Sequence, residues 1–353
     1  MSIIFAILLF SFLIFIHELG HFVAAKLSGV QVNEFALFMG PALLQKQKGE
    51  TLYSLRLIPI GGYCAMEGED GGSDNPRSFD KAAWWKRFLI LVAGAAMNFL
   101  VGVLLMVIIS LPVRQTVVPV ISSFEEYATV NGSEGLQVGD RVLKVDGERL
   151  YTQSDFSLIL SLNPGDTHDL VVERNGQKVT LNNLKMEKHP VTDENGNTNM
   201  LFGMNFTIVN LSIGDRLHYG WMQSLDSVRL VRLSLKMLLT GQAGLSDMSG
   251  PVGIVQQMSV VADASPSRFA ALMNLLYFGG FIAINLAVMN LLPIPALDGG
   301  RVFCLLLTAA VEGITHKKIN PKYEGYIHGT GMILLLALMA VVMFKDIFVL
   351  FKG

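Results

Sequence analysis

The chain has 353 residues, of which 51% are hydrophobic and only 16% charged, with a mean hydropathy of +0.46. A soluble globular domain carries about 25% charge, so composition alone points toward a lipid bilayer. Basic and acidic residues nearly balance at 27 against 29, with no basic arm, which excludes nucleic acid as a partner class; the two distant cysteines, Cys64 and Cys304, exclude a disulfide framework.

In chain order, residues 1–27 predict a first spanning helix. The run Ile3 to Leu27 meets the length needed to cross a bilayer and is polar only around His17–His21. It has no basic leader and no small-residue cleavage site, so it reads as a retained helix and not a signal peptide. Residues 28–87 read as a cytoplasmic or membrane-dipping β-hairpin region. Within it, Thr51 to Met66 alternates loosely through Leu52, Leu55 and Leu57. That segment is expected to form a hairpin able to hold an unwound substrate by strand addition, with Gly61 and Gly62 as substrate-binding positions. An ordinary cytoplasmic hairpin is the alternative.

Residues 88–111 form the second predicted span, interrupted by Asn98. Residues 112–190 read as a separate β-rich domain. Short strands are predicted at Val117–Ile121, Arg141–Val145, Asp169–Glu173 and Lys178–Leu181, and a helix at Thr152–Leu162. Turn signals lie at Val145–Glu148, Asn163–Asp166 and Arg174–Gln177, and the Asn175-Gly176 pair is the strongest of them. Residues 191–270 are a connector. It opens with a polar loop or hairpin tip at Asp193–Asn199 and continues into an amphipathic helix from Asp215 to Thr240. Trp221, Leu225, Val228, Val231, Leu235 and Leu238 recur there at steps of three and four. That helix either lies along the outer membrane surface or covers the helix bundle.

The third span, Ala271 to Leu292, opens the segment 271–314, and Val302–Ile314 after it is too short to count as another span. Residues 315–353 hold the fourth span, Ile327 to Phe344, which ends at Lys345-Asp346. Orientation follows from basic residues. Lys46, Lys48, Arg56, Arg77, Lys81, Lys86 and Arg87 lie between spans one and two, and Arg301, Lys317, Lys318 and Lys322 between spans three and four. Both connections are expected in the cytoplasm, and both termini and residues 112–266 outside. The expected fold class is therefore a polytopic α-helical membrane protein of about four transmembrane helices, with an inserted extracytoplasmic β-rich domain and a membrane-associated β-hairpin.

The chemistry sits in His17-Glu18-Leu19-Gly20-His21. On a helix, positions i and i+4 share a face, so both imidazoles can reach one Zn²⁺, and the Glu between them can take a proton from water. Ionisable residues inside a spanning helix are costly and seldom persist without a partner or a function. A catalytic zinc takes three protein ligands. Spans one and three both run from outside to inside, so Asp298 arrives on the same side as the His pair and at similar depth. Pro293 and Pro295 are expected to break the third helix, and Gly299-Gly300 to turn the backbone before a new helix near Arg301. Alone, Asp298 could be a helix cap; beside the two His it reads as the third ligand. Glu34, Glu67 and Glu312 are weaker candidates, each nearer a polar flank.

With HELGH in the first span and Asn-x-x-Pro-x-x-x-Leu-Asp-Gly from Asn290 to Gly299, the chain resembles the site-2 protease family of M50-type intramembrane zinc metalloproteases. Within it, the likeness is to the bacterial RseP/RasP-like branch with a single PDZ domain. Gly61-Gly62-Tyr63, Gly135-Leu136-Gln137-Val138-Gly139-Asp140 and Gly250-Pro251-Val252-Gly253-Ile254 extend it over nearly the whole chain. The resemblance implies Zn²⁺ at His17, His21 and Asp298, Glu18 as general base and Asn290 as a substrate-positioning residue. It implies a PDZ-like extracytoplasmic domain acting as a size filter or docking module. It also implies a bacterial plasma-membrane location with the active site toward the cytoplasm, and single-pass membrane proteins, such as anti-sigma factors or remnant signal peptides, as substrates. The competing classes are an inactive scaffold, against which Glu18 argues, and a transporter, for which no inverted repeat is visible.

Overall fold

Among the described residues, four helices are long and apolar enough to cross a membrane: Ile4–Ser28, Trp84–Ser110, Arg268–Asn290 and Gly325–Val349. The computed structural model describes residues 2–69, 72–132, 134–163, 165–192, 198–244, 247–315 and 322–352. Lys317, Lys318, Pro164 and most of the expected tip Asp193–Asn199 lie outside the described residues. The chain divides into two units, Met1–Met106 with Ser227–Gly353, and Val107–Asp226.

The first unit opens with α1 (Ser2–Ser28). It ends because Gly29 adopts φ +81°, while Val30 N–H donates to Ala25 O at 2.9 Å and Gly29 N–H to Lys26 O at 3.2 Å. That is a left-handed glycine cap satisfying the last carbonyls of the helix. Strands β1 (Val32–Lys48) and β2 (Thr51–Met66) follow, joined at Gly49-Glu50. Thr51–Met66 is therefore one strand of a longer hairpin and not a hairpin by itself. Both strands bend, with φ +71° at Phe38, +83° at Gly40 and +81° at Gly61. Residues 34–37 thereby pair with 62–65 on one side and with 52–55 on the other. Two-fold alternation alone does not reveal such bends, because they need particular residues at positive φ. The inner end of this sheet is buried: Val32, Phe35, Cys64 and Met66 pack with Ile90 and Leu305, against Phe15, Leu19 and Phe22. The outer end leaves Met39, Leu43, Leu44, Leu57 and Ile58 exposed.

Helix α2 (Trp84–Ser110) returns beside α1. A second core joins Ala6, Leu9 and Leu13 of α1 to Met258, Ile282 and Ala283. Met258 belongs to α5 (Pro251–Asp263); Ile282 and Ala283 belong to α6 (Arg268–Asn290), which Ser267 caps by accepting from Ala270 N–H at 3.1 Å. Helix α7 (Asp298–Thr315) starts at Asp298 itself. This corrects the expectation that Gly299-Gly300 forms a turn ahead of a helix near Arg301. The reversal falls on Ala296, at φ +80°. The two glycines occupy the first helical turn, where a Cβ would strike the backbone of Leu291 and Leu292 at one and of Ile294 at the other. Close approach, and not backbone freedom, requires them. Helix α8 (Lys322–Lys352) closes the chain.

In the second unit, β3 (Gln115–Phe124), β4 (Arg141–Val145), β6 (Thr167–Arg174), β7 (Gln177–Lys185) and β10 (Met204–Asn210) form a sheet in the order β10-β3-β4-β6-β7. Strand β5 (Glu148–Arg149) pairs with β4, and β8 (His189–Thr192) with β9 (Thr198–Leu201). Helix α3 (Ser154–Leu162) seals the core, setting Phe156, Ile159 and Leu160 against Ile121, Val142, Leu170 and Val172. Asp146-Gly147 and Asn175-Gly176 both take positive φ at each residue, the two-residue turn that matches strand twist. Helix α4 (Ile213–Thr240) runs on from this sheet. It buries Ser224, Ser227 and Val231 while Trp221 and Leu238 of the expected stripe stay exposed.

Candidate active site

Helix α1 sets His17 and His21 one turn apart on a single face, with ring centroids 4.7 Å apart and planes at 84°. Their Nε2 atoms are 3.1 Å apart. Asp298 Oδ2, at the start of α7, lies 3.0 Å from His17 Nε2 and 3.3 Å from His21 Nε2. The structure thus brings Asp298 to a histidine pair about 280 positions before it in the sequence.

Do these residues fit a zinc ion? Three donors on a tetrahedral ion with bonds of about 2.0–2.1 Å would sit about 3.3 Å from one another, close to the spacing found. His21 Nδ1 lies 2.8 Å from Ile90 O. A carbonyl only accepts, so Nδ1 carries the proton and Nε2 presents its lone pair. Asp298 Oδ2 is buried without a hydrogen bond. Lone pairs that converge this closely call for a cation among them, and the set fits one.

Glycines make the approach possible. A Cβ on Gly20 would run into Ala93 O, and one on Gly94 would run into His21 Nε2 and lie 2.8 Å from His17 Cε1. Asp298 is swung into place by the loop after α6, where Ala296 N–H donates to His328 Nδ1 at 3.2 Å. A Cβ on Gly331 of α8 would collide with Pro295 of the same loop.

Glu18 is half-buried between the two imidazoles on α1. Its Cγ lies 3.9 Å from where a Cβ on Gly62 would stand, so the hairpin edge borders the carboxylate. Gly61, by contrast, faces Met39. Asn290 closes α6, half-buried, and residues 291–297 separate it from Asp298. The weaker candidates are engaged elsewhere. Glu34 accepts from Ser54 and, at 2.7 Å, from Arg56; Glu67 accepts from Ser73 and Asn33. Glu312 lies fourteen residues along α7 from Asp298, about 21 Å at helical rise. Sequence reading missed Gly94 and the Ile90 carbonyl. The small-residue run Ala93-Gly94-Ala95-Ala96, facing a glycine inside HELGH, was the available signal for the first.

The chain matches peptidase family M50 over residues 5–338. It is 38% identical over 349 residues to a Clostridium acetobutylicum protein with a provisional zinc-metalloprotease name, covering 98% of this chain and 97% of that one. It is 28% identical over 430 aligned positions to the regulator of sigma-W protease RasP of Bacillus subtilis, covering 98% of each. The zinc metalloprotease RasP of Geobacillus kaustophilus is 28% identical over 429 positions, covering 98% of this chain and 97% of the relative. Matches this extensive, on a bundle with four helices of spanning length, define a multi-pass membrane zinc metalloprotease. The chain belongs to peptidase family M50, the site-2 proteases.

Proposed function

We propose that this protein cleaves peptide bonds within or near the transmembrane segments of single-pass membrane proteins, with Zn²⁺ held by His17, His21 and Asp298. The observation that carries this reading is the convergence of three ligand atoms, 3.0–3.3 Å apart, two of them on a helix of spanning length and the third at the start of α7. Zinc in such a set supplies Lewis acidity that polarises a scissile carbonyl and acidifies water. Glu18 takes the proton of the attacking water on its carboxylate and returns it to the departing amine nitrogen. Asn290 serves as the polar group that positions the substrate near the end of α6.

A helical substrate hides its peptide bonds, so it must unwind before it is cut. Residues 62–66 of β2 pair with β1 on one side. Their other edge runs past Glu18 at Gly62 and offers backbone groups for an added strand. The exposed Met39, Leu43, Leu44, Leu57 and Ile58 favour an outer hairpin end that dips into the lipid. Residues 112–190 act as a PDZ-like extracytoplasmic module that docks or size-filters substrates; β10, beyond that range, joins its sheet at one edge. The name of the Bacillus subtilis relative, a regulator of sigma-W protease, favours anti-sigma factors as substrates here, with remnant signal peptides as the other single-span class. The basic connections favour a centre toward the cytoplasmic side of a bacterial plasma membrane.

Purified full-length protein mixed with candidate single-span substrates tests the reading. One cut inside or beside the apolar segment is expected, abolished by Glu18→Gln and by a zinc chelator. Cleavage that survives both changes would sink it.

A further inference from the structure

Asn98 lies in the middle of α2, inside a helix of spanning length, and is 1% exposed. Its Oδ1 is buried with no hydrogen-bond partner among the described residues. A carboxamide so placed is expensive, and an orphan of this kind calls for a cause. A second orphan sits on the facing helix: His17 Nδ1 is also buried and unpartnered. Its neighbour His21 has no such deficit, because Ile90 O takes its Nδ1–H at 2.8 Å. An imidazole that ligates through Nε2 needs an acceptor for its other ring proton, which fixes both tautomer and ring orientation. His21 has one and His17 lacks one.

Helix α2 offers the acceptor. Ile90, Gly94 and Asn98 recur at four-residue steps, so they share one face. Along that face Ile90 meets His21, and Gly94 meets both imidazoles. Ascending α2 therefore descends α1, from His21 toward His17. Side chains on a helix lean toward its N-terminus and cover the preceding turn. The Asn98 carboxamide accordingly overlies the turn at Gly94, where the missing Cβ admits His17 Cε1. Contact with α6 is carried by the next position on the stripe: a Cβ on Gly102 would lie 3.1 Å from Gly280 O.

We propose that Asn98 is a positioning residue whose Oδ1, unpartnered in this structure, accepts the Nδ1–H of His17 once the metal is bound and so aims His17 Nε2 at it. The inference rests on the metal reading of His17, His21 and Asp298. Full-length wild type, Asn98→Leu and Asn98→Asp, each loaded with zinc in lipid nanodiscs, are titrated with a series of chelators. The Leu variant should lose about 10–100-fold in zinc affinity, while the Asp variant, which keeps an acceptor, stays within about threefold of wild type. Cobalt-loaded Asn98→Leu should also show a shifted visible spectrum, and Asn98→Asp should not. If the Leu variant fails to fold, Asn98→Ala carries the same comparison.

Zinc retention and a cobalt spectrum unchanged by loss of the acceptor would overturn the assignment. So would equal losses in the Asp and Leu variants, which would assign the site to packing. Wild type that binds no zinc would instead overturn the metal reading beneath it.

Discussion

Glu18 and Gly94 show how little separates a working centre from a structural one. On the proposed mechanism Glu18 touches the reacting atoms without holding the ion, so Glu18→Gln should leave bound zinc in place and lower turnover by about 10²–10⁴-fold. Metal analysis and single-turnover cleavage on the same preparation check both halves. Gly94→Ala should act in the opposite order. The added methyl would occupy the space of His21 Nε2 and crowd His17, so zinc is lost first and activity follows; metal content measured after gel filtration decides it. The difference between these two residues explains what was legible at this scale. Glu18, His17, His21 and Asp298 announce themselves because the proposed chemistry is carried by their side chains. Gly94 contributes an absence and Ile90 a backbone carbonyl, and neither leaves a mark that spacing alone can read.

At the scale of elements, two polar clamps hold apolar pieces in register. The tip of the β1–β2 hairpin is tied by Glu50, which accepts from Arg77 at 2.6 and 2.9 Å and from Lys26 at 2.7 Å. Arg77, and after it Lys26, draw the Glu50 carboxyl down to about 2 from an ordinary value of 4.5. A depressed carboxyl stabilises the fold above its unfolded value and loses that contribution as pH falls toward the folded one. Hairpin anchoring should therefore be complete above pH 4.5 and fade as pH drops to about 2. A partly exposed cluster of this kind contributes about 1 kcal/mol or less, and salt weakens it. Limited proteolysis at Gly49 across that range reads the effect, and Glu50→Gln should remove its pH dependence.

The second clamp is Asp346 of α8, whose Oδ2 accepts from Gly250 N–H and Gly253 N–H, both at 2.9 Å, at the start of α5. Asp346→Ala would strand one buried and one half-buried donor, at about 1–3 kcal/mol for the buried one, and should free α5 in hydrogen exchange while α1 stays protected. The two-residue turns at Asp146-Gly147 and Asn175-Gly176 were readable because turn chemistry is local. The pairing of Thr51–Met66 and the role of Gly299-Gly300 were not. Both depend on what lies across space: a distant strand for the first, the folded-back Leu291–Ile294 backbone for the second.

Over the whole molecule, hydropathy made the four helices of spanning length legible, since bilayer thickness imposes a one-dimensional length on sequence. The sidedness of the chain rests on a separate argument from basic residues. Five of them lie between α1 and α2, and Lys86 and Arg87 follow in the first turn of α2; the rule that short Lys- and Arg-rich loops remain in the cytoplasm makes this the expected cytoplasmic side. His17 and His21 sit in the half of α1 nearer that loop, so sidedness also fixes where water must enter for hydrolysis. Cysteines placed at exposed positions separate the alternatives: Glu126→Cys in the stretch after α2, and Gln47→Cys near the hairpin tip, in a background of Cys64→Ser and Cys304→Ser. A membrane-impermeant maleimide added to intact cells should label position 126 and spare position 47 until the cells are opened. The reverse pattern would turn α1 over and set the imidazole pair in the outer half of the bilayer. A cytoplasm-facing water path could not then serve Glu18, and the sidedness drawn from the basic loops would fail with it.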